Sequence, residues 1–259
     1  MEGGDKDVKT TQSGTAHEAY LGCMISEIST PNLPRILKAG GFSFVIVDCE
    51  HGAFDYSQIA SIVAVANGID LPAIIRVPEI RREGITKYLD MGADGLLVPM
   101  VNTAADAAEV VRYAKYAPVG RRGLSTQRAH TEYAPPPIAD YMVQANRRTL
   151  VWVQIETQRA VCNVRDIAGT EGVDALLIGP NDLAVDYGCP GAYDTPAMQA
   201  GILTVIAAAR EASKPSGIIT GNSHLIHYYH DRGMTIFSCG SEISMILSGA
   251  KEMIKDFFE

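Results

Sequence analysis

Short apolar runs, many of them β-branched, recur along the chain at Tyr20–Ile25, Phe42–Asp48, Ala73–Val77, Gly95–Met100, Leu150–Ile155, Ala175–Ile178, Ser216–Thr220 and Thr235–Cys239. Each has the length of a strand buried on both faces, as in a parallel sheet covered by helices. Between them lie stretches in which apolar residues repeat at three and four, such as Ile59, Ile62, Val63 and Ala66, Ala104 to Tyr116, and Met198 to Ala212. Thr30-Pro31, Asp55, Thr103 and Asp194-Thr195-Pro196 stand where N-caps and first turns belong. The rhythm is about eight strand-helix alternations with no Pro-, Gly- or Ser-rich linker. It predicts a closed (β/α)₈ TIM barrel rather than a doubly wound open sheet, which would also be expected to carry a G-x-G-x-x-G turn. Residues 1–18 are polar and aperiodic and read as a flexible leader, with a single barrel domain over 19–259. The long departure from the rhythm, Ala117 to Arg148, reads as an insertion that covers a substrate.

Composition narrows the class without changing the fold. The 259 residues are 47% hydrophobic and carry a net charge of -8, so a nucleic-acid or anionic-membrane partner is not expected. Five cysteines, Cys23, Cys49, Cys162, Cys189 and Cys239, form no C-x-x-C pair and read as small core residues of a reduced, cytoplasmic protein. No apolar run is long enough to cross a bilayer, and no signal-peptide pattern opens the chain.

Candidate chemistry lies at the C-terminal ends of the predicted strands, the face on which barrel enzymes build their sites. One strand ends Asp48-Cys49-Glu50-His51, the next Arg76-Val77-Pro78, a later one Gln154-Ile155-Glu156, and its neighbour Gly179-Pro180-Asn181-Asp182. Glu156 and Asp182 are oxygen ligands suited to Mg²⁺ or Mn²⁺, with Co²⁺ also tolerated; zinc would recruit His or Cys as well. Asp182 has a second reading as a helix N-cap, and the whole set has one as salt bridges at the barrel rim. Arg76 is a fixed cation suited to an oxygen that becomes negative. His51 is the leading general base, with Asp48 placed to orient its ring or a water; its other reading is a loop hydrogen bond. His224, His227 and His230 are spaced at three and read as a solvated helix flank.

Phe44-Val-Ile-Val-Asp48-Cys-Glu50-His51-Gly, Arg76-Val-Pro, Leu97-Val-Pro99-Met100-Val, Pro118-x-Gly120-x-Arg122-Gly123, Val153-Gln154-Ile-Glu156-Thr157 and Ile178-Gly179-Pro-Asn-Asp182-Leu occur in this order. Together they resemble the HpcH/HpaI aldolase family of metal-dependent class II pyruvate aldolases, to which macrophomate synthase is related. The resemblance implies that Glu156 and Asp182 hold a divalent ion that chelates the carboxylate and keto oxygen of pyruvate, with Gln154 beside it. Arg76 would then face the enolate oxygen, His51 with Asp48 would move protons through a water, and amides near Gly179, Pro180, Asn181 and Asp182 would receive the carboxylate. Asp90 matches a position that reaches a neighbouring subunit's site. Dimers that exchange the last helix, Ile243 to Phe258, would assemble into a homo-hexamer.

The expected activity is a carbon–carbon lyase that makes or cleaves 4-hydroxy-2-oxo acids from pyruvate and an aldehyde or other electrophile. Alternatives are oxaloacetate decarboxylation with trapping of the enolate, and a citramalyl- or malyl-CoA type lyase needing the basic patch Arg121, Arg122 and Arg128. A non-enzymatic alternative is an inert metabolite-binding barrel. The chain departs from the family's pattern at Ser241-Glu242 and at Leu124-Ser-Thr-Gln.

Overall fold

The computed structural model describes residues 19–258; the expected leader lies outside them. The elements run β1 (Tyr20–Ile25), α1 (Leu33–Ala39), β2 (Phe44–Asp48), α2 (Tyr56–Asn67), β3 (Ala73–Arg76), α3 (Arg82–Asp90), β4 (Gly95–Val98) and α4 (Ala104–Ala114). A 3₁₀ turn (Ala129–Thr131) and α5 (Ile138–Arg148) precede β5 (Leu150–Ile155), α6 (Gln158–Cys162), α7 (Val164–Gly169), β6 (Ala175–Ile178) and α8 (Pro180–Asp186). The chain ends with α9 (Pro196–Glu211), β7 (Ser216–Ile219), α10 (Ser223–His230), β8 (Ile236–Ser241) and α11 (Glu242–Phe258). All strand pairs are parallel, and β8 closes on β1 to complete the barrel.

Period-two alternation along each strand sorts side chains into two cores. Outward residues such as Val45, Val47, Ile75, Val153 and Ile178 pack with Ile59, Ile62, Val110, Ile167 and Val205 of the surrounding helices. Inward residues Met24, Phe44, Ile46, Ile74, Leu97, Leu150, Trp152, Ala175, Leu177 and Ile236 fill the barrel itself. There Phe44 meets Trp152 edge to face, with ring centroids 5.3 Å apart. Carried one step further up the strands, the inward rows Phe44-Ile46, Ile74 and Leu150-Trp152 reach Asp48, Arg76, Gln154 and then Glu156. The polar site is therefore the top layer of the inner core.

Helix starts follow local chemistry. Asp55 and Thr103 each close a capping box with Gln58 and Asp106, and Thr195 caps α9 ahead of Pro196. Thr30-Pro31 does not cap α1, which begins after Asn32. The insertion also departs from expectation. It follows α4 rather than a strand, includes α5 and makes contacts at the N-terminal end of the barrel. There His130 faces the Asp90 carbonyl, and Lys115 bonds the carbonyls of Asn146 and Thr149 ahead of β5. Not every cysteine is a core residue: Cys23 is buried, but Cys162 is exposed on α6. His224 and His227 lie exposed on α10, and His230 is half-buried.

Candidate active site at the barrel mouth

The β2–β3 register sets Asp48 opposite Arg76, and their side chains form a two-point pair, Nε to Oδ1 at 2.9 Å and Nη2 to Oδ2 at 2.6 Å. Glu50 Oε2 lies 3.4 Å from Arg76 Nη1. Burial raises the pKa of Asp48, but the bonds and charge of Arg76, with the amides of His51 and Glu50, outweigh it and hold the carboxyl below its usual range. Burial wins at Glu50 and lifts it despite Arg76.

On the other side of the mouth, Glu156 is 2% exposed. Its Oε1 accepts the Met100 amide at 2.5 Å, and its Oε2 accepts a bond from Gln154 Nε2. Met100 lies in the left-handed region, with φ 56°, a conformation costly for a side chain of that kind and concentrated at functional sites. Burial pushes Glu156 up to about 7, the charges of Glu50 and Asp182 adding to the shift and the two hydrogen bonds opposing it. Asn102 binds this corner: its side-chain oxygen accepts the Thr157 hydroxyl, and Asn163 donates to its carbonyl at 2.9 Å. Thr157 in turn caps α6.

Asp182 occupies the exposed first turn of α8, whose N-cap is Gly179. Its carboxylate is therefore not the cap, and that reading is set aside. Gly179 is required by proximity, since a Cβ there would stand 2.6 Å from Gln154 Nε2 and 2.7 Å from Glu156 Oε2. Pro180 is buried behind it, and Asn181 Oδ1 accepts the Tyr193 hydroxyl at 2.7 Å.

Three acids, Asp48, Glu50 and Glu156, thus face one guanidinium, and the charge of Asp182 bears on Glu50 and Glu156. The oxygen of Gln154, buried and without a hydrogen-bond partner, adds a further donor to that side of the mouth. Hard oxygen donors with surplus negative charge suit a divalent ion of the Mg²⁺ or Mn²⁺ kind. Among the described residues no cluster of three or more His, Cys, Asp or Glu is arranged to hold a metal; an ion at Glu156 and Asp182 would have two carboxylate ligands.

His51 sits at the rim with its side chain 69% exposed, its ring 3.9 Å from Glu50. Asp48 accepts the His51 amide at 3.2 Å and gives its carboxylate to Arg76 rather than to the His51 ring, which leaves a water as the partner it was expected to orient. Asp90 is not among this group. It ends α3 at the opposite end of the barrel, bonded at 2.7 Å to buried Arg122 and 4.0 Å from His130 Nδ1. Arg122 is thus withdrawn from the basic patch that a CoA nucleotide would need. Met100 and Asn102 were not singled out as site residues in the sequence. The one signal was the Val-Pro-Met run leaving β4, where proline ends the strand.

The chain matches the family described as HpcH/HpaI aldolase/citrate lyase over residues 23–248. It is 33% identical over 242 residues to 5-keto-4-deoxy-D-glucarate aldolase of Klebsiella pneumoniae, covering 93% of both chains. The structure of an HpcH/HpaI aldolase from Desulfitobacterium hafniense superposes with a TM-score of 0.89 at 28% identity, covering 93% of each chain. Macrophomate synthase, at 22% identity and a TM-score of 0.74 over 94% of this chain and 87% of its own, shares the fold. By its sequence match and its fold, the chain belongs to the HpcH/HpaI aldolase/citrate lyase family, a family of metal-dependent aldolases.

Proposed function

We propose that this chain is a class II aldolase that cleaves 4-hydroxy-2-oxo acids to pyruvate and an aldehyde, and joins them in reverse. The observation that carries this is the barrel mouth, where Asp48, Glu50 and Glu156 act on the single Arg76 and leave negative charge in excess, with Gln154 bonded to Glu156 and Asp182 adding its charge from α8. A compound such as 5-keto-4-deoxy-D-glucarate, the substrate named for the Klebsiella relative, has the required hydroxyl two carbons from the oxo group.

Glu156 and Asp182 would hold Mg²⁺ or Mn²⁺, with Gln154 fixing Glu156. The ion, when bound, supplies Lewis-acid polarisation of the 2-oxo group. His51 takes the proton of the C4 hydroxyl. The C3–C4 electron pair passes to the 2-oxo group as the aldehyde leaves, and the enolate carbon is then reprotonated. Arg76 presents its remaining N–H groups to the enolate oxygen, its plane fixed by Asp48. In the first turn of α8, the Asn181 and Asp182 amides have no intrahelical carbonyl to bond and would receive the substrate carboxylate beside Gly179 and Pro180. No Schiff-base lysine is needed.

Two further readings concern assembly. Helix α11 leaves Ile246, Leu247, Met253, Ile254, Phe257 and Phe258 exposed, the last two at 82% and 79%, and buries only Glu242. An apolar helix face with so little cover supports exchange of α11 between subunits of a homo-oligomer, with a hexamer built from dimers as the expected state. Asp90, far from its own mouth, would then serve a neighbour's. No helix among the described residues is long and apolar enough to cross a membrane, and the five free cysteines fit a cytoplasmic setting.

The test is deuterium exchange into the methyl group of pyruvate. Exchange is expected with Mg²⁺ or Mn²⁺, to stop with EDTA, and to fall about 10³-fold in Glu156→Gln and in Asp182→Asn, since the ion's stabilisation amounts to several kcal/mol. Exchange that persists under EDTA, or survives in both variants, overturns the proposal.

A further inference from the structure

One buried carboxylate takes no part in the chemistry above. Glu242 is 2% exposed, and its oxygens accept the amides of Ser26 at 2.9 and 3.0 Å, Glu27 at 2.7 Å and Ile28 at 3.0 Å, together with the Ser26 hydroxyl at 3.2 Å. Every one of these donors belongs to the loop leaving β1 at the barrel mouth. Burial alone would raise the Glu242 pKa, but the three amides outweigh it and hold the group below its usual range.

An irregularity in the sheet delivers this side chain. Gly22 of β1 pairs with Ser238 of β8, yet Met24 pairs with Ser241, so β8 carries one more residue than β1 between the two pairs. Gly240, in that extra stretch, has φ 97°, a conformation natural only to glycine. Such a bulge re-aims the chain that follows it, and here it turns Glu242 across the end of β1. On the far side of the same loop, a Cβ on Gly52 would stand 2.9 Å from the Ser26 carbonyl and 2.3 Å from that of Asp48. The 26–28 loop and the 49–52 turn are therefore in backbone contact, and that turn carries Glu50 and His51.

We propose that Glu242 is a positioning residue: by fixing the 26–28 loop it fixes the turn that presents His51 and Glu50 to the substrate. The catalytic part of this inference rests on the reading of His51 as the base, whereas the positional part does not. Displacements of about 1 Å at such a turn can cost on the order of a hundredfold in rate.

The experiment uses the full-length, metal-loaded enzyme with 5-keto-4-deoxy-D-glucarate as probe. Glu242→Gln is expected to lower kcat for cleavage about ten- to a hundredfold with KM changed less than about twofold. In a His51→Ala background the same change should add less than about twofold, the signature of two residues acting through one step. Equal losses in both backgrounds, or no loss of kcat, would overturn the proposal. A fully active His51→Ala would instead remove the base assignment alone, and amide hydrogen exchange then decides the positional claim. Faster exchange at both 26–28 and 49–52 in Glu242→Gln supports it, and a change confined to 26–28 sinks it. Should Glu242→Gln fail to fold, Ser26→Ala removes only the hydroxyl contact and is expected to give the same pattern at smaller size; no change in kcat or exchange there counts against the proposal.

Discussion

At the N-terminal end of the barrel, Lys115 is buried with its ammonium donating to the carbonyls of Asn146 and Thr149 and to Asp174 at 3.1 Å, while Asp174 also accepts the Val151 amide at 2.8 Å. At the mouth, Asp48, Glu50 and Glu156 share one arginine. Both regions place charge out of water, which is costly unless it is paired. In the first, hydrogen bonds account for the cation and hold α4, α5 and the starts of β5 and β6 together. In the second, the arrangement is left short of positive charge, and Gly179 keeps open the space that a side chain would fill. A satisfied buried charge suits a structural joint, whereas the excess of acids at the mouth is what supports the proposed metal site.

The comparison is broken if the two regions respond alike to losing a charge. Lys115→Met should cost about 3 kcal/mol, because it strands an acid and two carbonyls. In a chain of this size that is a fall in melting temperature of roughly 6–12 °C, with unchanged turnover per folded molecule. Glu156→Gln, which relieves repulsion among the acids, should melt within about 3 °C of the parent in EDTA, despite its lost exchange activity. Differential scanning calorimetry of both variants under EDTA separates the outcomes, and a large loss for Glu156→Gln would make the mouth a structural joint as well.

A smaller effect is expected from Gly179→Ala, whose methyl would press on Glu156 and Gln154. Metal activation should weaken about tenfold at a stability cost of about 1–2 kcal/mol, as measured by titrating Mn²⁺ into the apo-enzyme. A wild-type activation curve would show that the space at Gly179 has no bearing on the site. The smallest effect concerns acid. Asp48 and Glu242 both have folded pKa values below their unfolded ones. Their contribution is therefore present above the unfolded values, near pH 4, and is lost as the pH falls through the folded ones. Melts from pH 6 to 3 should show stability declining below about pH 4, with a shallower decline in Glu242→Gln; an unaltered slope there would mean that its amide bonds do not favour the ionised form.

Much of this was legible in the chain itself. Eight apolar runs separated by helical periods determine a closed parallel barrel, because a strand buried on both faces needs a helix after it and a neighbour on each side. The acids and the arginine at strand ends were legible for the same reason: period-two alternation places Asp48, Arg76, Gln154 and Glu156 on the inward row. What the one-dimensional pattern does not contain is which partner each group chooses. Asp48 takes Arg76 rather than the His51 ring because the β2–β3 register sets those two residues opposite each other. Asp182 is not a cap because the helix starts at Gly179. The insertion bonds to the barrel's far end because it follows a helix rather than a strand. Met100 and Glu242 reach the mouth only through a left-handed turn and a bulged strand. The sequence by itself thus determined the fold and the set of charges at its mouth. Only the tertiary structure decided their pairing, because pairing depends on register, turn geometry and contacts between residues as much as 216 positions apart.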